Sequence, residues 1–135
     1  MQIDNVLGYS PRTYLAHHGG VYAIRNLIND RVYIGQTTRF LDRMATHNVF
    51  LRNNKHSIPQ MQLDWNTHGD DNFKFEVLIG FRQELFCRGY IEREEMTSLE
   101  VQFWKQHKHN CYNLRKPYLS SWVAREPYRP WLRAS

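Results

Sequence analysis

The chain has 135 residues, 41% of them apolar, 14% aromatic and only 23% charged, which suits one folded core and hardly two. Its formal charge of +5 favours an acidic partner. Its two cysteines, Cys87 and Cys111, exclude a disulfide-built secreted scaffold and lead us to expect a reducing, cytoplasmic setting. No run approaches the ~18 apolar residues of a membrane span, and the first residues lack a basic-then-apolar leader.

Residues 1–18 contain few periodic apolar positions and the pair Ser10-Pro11, and they read as an irregular lead-in. Two β-rich runs follow, VYAIR after Gly19-Gly20 and RVYIG after the turn residues Asn26 to Asp30, which together predict an antiparallel hairpin. Tyr22 and Ile24 then share one face of the first strand, and Val21 and Ala23 take the other. The segment RFLDRMATHNVFLRN predicts a helix, with Phe40 and Met44, Leu41 and Ala45, and Arg43 and His47 each one turn apart. Ser57-Ile58-Pro59-Gln60 has the form of a capping box opening a second helix, which Gly69 closes. Phe73, Phe75, Val77 and Ile79 alternate as the inner face of a third strand. A longer helix runs from about Tyr90 to His107, acidic at its start and basic at its end. The order β-β-α-α-β-α predicts a small α+β domain over residues 19–114, with an antiparallel three-stranded sheet flanked by helices.

Charge is unevenly distributed along this plan. Residues 36–56 carry four basic side chains and one acidic, whereas residues 57–114 carry six and nine. The extension 115–135 carries five and one, interleaved with Tyr118, Trp122, Tyr128 and Trp131. Basic residues mixed with aromatics suit a phosphate backbone with stackable bases, and equally a packed contact between copies of the chain. His107, His109 and Cys111 fall close together, but H-x-H-x-C matches no common zinc spacing.

Five segments, in order, resemble the GIY-YIG nuclease superfamily. Gly20-Val21-Tyr22 is followed after ten residues by Tyr33-Ile34-Gly35, then by Gln36-Thr37-Thr38, by FLDRMATH and by KHSIPQMQLDWNTHG. The likeness continues through the third strand and the long helix. Homing-type members place their glutamate where this chain has Val101. The stretch EVQFWKQHKHNCYN is instead similar to the excision-repair version, which puts the glutamate at Glu100.

The resemblance implies a DNA endonuclease that hydrolyses phosphodiester bonds with one Mg²⁺ or Mn²⁺ ion. It makes Tyr22, Tyr33, Arg43, His47 and Glu100 the catalytic set. Glu100 would hold the metal, and Tyr22 would be the general base. Arg43 would meet the charge that builds on the phosphate. Tyr33 and His47 would orient the water or the scissile phosphate, with His47 able to relay a proton. His56, Asn113, Arg39 and Lys55 are assigned to the substrate, Asn113 also fixing geometry. The physical logic agrees: in-line attack adds negative charge at the non-bridging oxygens, where a cation and a forked guanidinium answer it. The short remainder after residue 114 leads us to expect a free-standing module with relaxed or structure-based preference, in a bacterial or phage-infected cell, completed by assembly into a homodimer or higher homo-oligomer. A fold-keeping DNA-binding module without chemistry, a restriction-type oligomer and a small basic oligomerising protein remain open alternatives at this point.

Overall fold

A four-stranded sheet separates two helical layers in the computed structural model, which describes residues 1–3 and 10–113. In chain order come β1 (Gln2–Ile3), α1 (Pro11–His17), β2 (His18–Asn26), β3 (Val32–Thr37), α2 (Phe40–Arg52), α3 (Pro59–His68), β4 (Phe73–Arg82), α4 (Gln83–Cys87) and α5 (Arg93–His107). The strand order is β1-β4-β2-β3. β2 pairs antiparallel with both neighbours, whereas β1 adds parallel to β4 through Gln2↔Lys74 and Ile3↔Phe75. The sheet is therefore mixed and four-stranded rather than antiparallel and three-stranded. The extra strand carries no pattern of its own and exists through pairing, with the Met1 amine held by Asp70.

The hairpin forms as the turn chemistry predicts. Asp30 takes the left-handed conformation (φ 62°), and the Asn26 carboxamide accepts the Ile28 N–H at 2.9 Å. Alternation along β2 then divides the core. Tyr22 and Ile24 join α1, α2 and α3 in one cluster with Phe40, Met61, Trp65 and Phe75. Val21 and Ala23 join Val32, Ile34, Phe86 and Met96 beneath α4 and α5. The predicted alternation of β4 fails at one point. A register shift opposite Val21 and Tyr22 inserts an extra residue, so Ile79 lies in the second cluster while Val77 packs against the first.

Residues 10–18 are not an irregular lead-in. Ser10 caps α1 by accepting the Thr13 N–H, and Pro11 opens its first turn. The capping box expected at Ser57 is absent, because Ile58 is the N-cap of α3 and no side chain caps it. The box stands instead at Glu92 and Glu95, opening α5. Gly69 ends α3 with φ 86°, as expected of a C-terminal glycine. The basic aromatic extension 115–135 lies outside the described residues.

A buried polar knot ties the hairpin turn to α3 and to the chain beyond α5. The Tyr112 hydroxyl donates to Asp64 Oδ2 at 2.5 Å and accepts from Asn26 Nδ2 at 3.1 Å. Asn29 and Gln60 also donate to the carboxylate, and the Arg31 guanidinium lies 5.1 Å above the Tyr112 ring. Burial alone would raise the Asp64 pKa, but these hydrogen bonds and Arg31 hold it below its ordinary value. Tyr112→Phe strips one donor from a buried carboxylate, so it should lower unfolding free energy by about 1–3 kcal/mol. Urea denaturation measures this, and a loss well under 0.5 kcal/mol (about a third of one hydrogen bond) would show that the knot does not hold the fold.

Candidate active site

The hairpin and α2 place three aromatic side chains, Tyr22, Tyr33 and His47, in mutual contact. Tyr22 on β2 faces Gly35 across the strand pair, and Tyr33 on β3 faces Ile24, so both tyrosines point to the α2–α3 side. Their rings lie 6.2 Å apart. Tyr22, 1% exposed, stacks on Phe75 at 4.9 Å. Gly35 makes room for the phenol, since a Cβ there would fall 2.4 Å from the Tyr22 hydroxyl.

His47 reaches this pair from the buried face of α2. Its Nε2 is 2.8 Å from Tyr22 Oη, and its ring meets the edge of Tyr33 at 5.1 Å. On its other side, Nδ1 lies 2.8 Å from His56 Nε2, with the two imidazoles stacked at 5.0 Å. His56 stands in the loop before α3, where Gln62 fixes the backbone. The Gln62 amide accepts the His56 N–H and donates to the Leu51 carbonyl. Gln62 is not singled out by the sequence reading, and Gly35 enters it only as the last residue of the Tyr33-Ile34-Gly35 motif, with no site role. Gly35 could have been given one, as the residue directly across the hairpin from Tyr22.

Burial pushes the His47 pKa down to about 3, assisted by the neighbouring His56 and by the Arg43 charge one helical turn away. His56 is lowered by burial as well. The sign follows from linkage. A histidine neutral in the fold but free to ionise when unfolded binds fewer protons in the native state at acid pH. Stability is therefore complete above the ordinary value of 6.5 and is lost as pH falls from there towards about 3. The slope for such a group is at most about 1.4 kcal/mol per pH unit. Unfolding free energies measured across this window should fall more gently in His47→Gln, and identical slopes would remove His47 from the account.

Glu100 comes from the other layer. It is 7% exposed on the buried face of α5, whereas Val101 is only half-buried. Thr97, one turn earlier on α5, accepts from Gln36 Nε2 on β3 at 3.3 Å. This ties α5 to the end of the edge strand that also carries Tyr33 and Gly35. A carboxylate this enclosed requires a charge partner or a cation. Among the described residues no three His, Cys, Asp or Glu side chains gather as a ready-made metal cluster. A carboxylate is a hard oxygen donor, of the kind that suits a divalent ion keeping most of its waters. His107 is engaged by the Phe103 carbonyl.

The residues assigned to substrate are arranged differently. Asn113 spends its amide on the edge of β3: Oδ1 accepts the Ile34 N–H at 2.8 Å, and Nδ2 donates to the Ile34 carbonyl at 2.9 Å. It mimics a neighbouring strand between Tyr33 and Gly35, which is a positioning contact. Arg39 donates to the Ala16 carbonyl and stands 3.6 Å from Asp42, at the junction of α1 and α2. Lys55 is exposed, beside His56.

Comparison with known proteins points one way. The family model described as the GIY-YIG catalytic domain matches residues 18–113. Intron-associated endonuclease 1 of Enterobacteria phage T4 is 32% identical over 97 residues, which are 70% of this chain and 36% of that protein. The chain thus spans roughly a third of that relative's own length. Among solved structures, a mutant form of the catalytic domain of intron endonuclease I-TevI superimposes with a TM-score of 0.63 at 25% identity, covering 76% of this chain and 98% of that one. The catalytic domain of homing endonuclease I-TevI gives 0.61 at 26% identity, covering 72% and 98%.

Proposed function

The chain belongs to the GIY-YIG family, and from that membership we propose that it is a metal-dependent DNA endonuclease. The observation that carries the reading is the contact of Tyr22 with His47 and of both with Tyr33, inside the matched region and with the phenol oxygen at its centre. Such an arrangement can hold a water for in-line attack and draw its proton towards a phenol oxygen. Tyr22 supplies that oxygen, and Tyr33 orients the water or the phosphate. Arg43, always ionised, meets the charge that builds on the non-bridging oxygens. Glu100 would hold Mg²⁺ or Mn²⁺, which when bound stabilises charge on the phosphate oxygens. Asn113, clamped to Ile34, keeps the edge strand and hence Tyr33 in place.

Incubation of the chain with supercoiled plasmid and Mg²⁺ or Mn²⁺ should give nicked or linear DNA. Mapping the ends on duplex, nicked and branched substrates at stated salt then reads the preference. Binding without cleavage under every metal and substrate would replace the nuclease by a DNA-binding module of the same fold.

A further inference from the structure

The chain of contacts Ile58, His56, His47, Tyr22 has a direction, and its first link determines it. Ile58 is the N-cap of α3, where no side chain caps the helix. Its own backbone N–H donates to Nδ1 of His56 at 3.1 Å. A backbone N–H can only donate, so Nδ1 of His56 carries no proton, and the neutral ring holds its proton on Nε2. That proton points at Nδ1 of His47, 2.8 Å away. His47 Nδ1 must then be the acceptor, which leaves its proton on Nε2, facing Tyr22 Oη at 2.8 Å. The reverse direction would set an Nδ1–H of His56 against the Ile58 N–H, donor against donor. A doubly protonated ring at either position meets the same clash.

We propose that the backbone N–H of Ile58 sets this direction, so that His47 donates to Tyr22 and His56 is a positioning residue that acts through His47. Two earlier expectations change with it. His47 has no lone pair available to Tyr22, so it does not carry the phenol proton away. His56 has both ring nitrogens committed within the protein, so it does not bind phosphate. A hydrogen bond donated into the phenol oxygen stabilises the phenolate over the phenol, and the Tyr22 proton is left to point away from His47. Gln62 belongs to the same device, because it anchors the His56 backbone from α3. The catalytic consequence rests on the nuclease reading, whereas the direction itself does not.

Long-range ¹H–¹⁵N spectra of the histidine-labelled chain, assigned with His47→Gln and His56→Gln, test the direction without any substrate. Both rings should show a protonated Nε2 and a bare Nδ1. A protonated Nδ1 on either ring, or an imidazolium at neutral pH, overturns the proposal. In cleavage, His56→Leu should lower kcat about tenfold or more with KM little changed, the size of one hydrogen bond felt in the transition state. His56→Gln, whose amide can still donate to His47 Nδ1, should recover most of that loss. A rise in KM instead, or glutamine no better than leucine, would return His56 to the phosphate. If either variant fails to fold, the wild-type spectrum still decides. Absence of cleavage by the wild type would defeat the nuclease reading and leave the direction to that spectrum.

Discussion

Glu100→Gln should lower plasmid cleavage by on the order of 10³-fold, with binding to uncut DNA largely kept. Glutamine has nearly the shape of glutamate and suits the same helical position, so α5 and its packing with Met96 should survive. What disappears is the negative charge, and with it the hard ligand proposed for a divalent ion. The side chain is almost wholly enclosed, on the helix tied to the end of β3 through Thr97 and Gln36. A charged group kept in such a place by a merely structural role would affect melting temperature and leave cleavage in proportion to the folded fraction. Comparing single-turnover cleavage, metal titration and thermal melting in wild type and variant separates the two. Activity within about tenfold of wild type would sink the assignment of the ligand.

Tyr22→Phe is the second large effect, expected at about 10²–10⁴-fold in kcat. The phenyl ring keeps its stacking on Phe75 and its place above Gly35. Only the oxygen goes, leaving the His47 Nε2 donor unanswered, at a cost of about 1–3 kcal/mol in stability. A fold that tolerates the change while cleavage collapses marks the oxygen as part of the chemistry. Gly35→Ala supplies an independent approach, since its methyl would press on that same hydroxyl while leaving Tyr22 intact. If Tyr22→Phe cut DNA at a rate within the error of wild type, the base would have to be sought elsewhere.

Local patterns predicted much of the fold. The hairpin, α2, α3, the third strand of the expected sheet and α5 all follow from periodicity and turn residues, within a few positions. All the misses but one depend on contacts outside the local pattern. β1 is two residues long and is defined by β4 beside it. α4 is five residues long and ends in a turn at Gly89. The capping box was misplaced because a Ser-x-x-Gln pattern is only permissive. Here the N–H of Ile58, the N-cap of α3, serves His56 of the site. α1 is the exception, since Ser10-Pro11 is a helix-start signal that reads equally well as a turn.

For the site, the sequence determined the inventory: residue types able to bind a hard cation, meet a phosphate and accept a proton, spaced so that Tyr22 and Tyr33 share a hairpin and Arg43 and His47 share a helix. Those spacings are local, and chain geometry alone sets them. Only the tertiary structure decided the contacts. Asn113 became a clamp on Ile34 and His56 a link behind His47 through contacts with other elements. The proton positions along this chain of contacts depend on one backbone N–H, eleven residues from His47 in sequence and next to it only through His56. A hydrogen bond has a donor and an acceptor, and which is which is fixed by the whole set of neighbours, information that no single stretch of this chain contains.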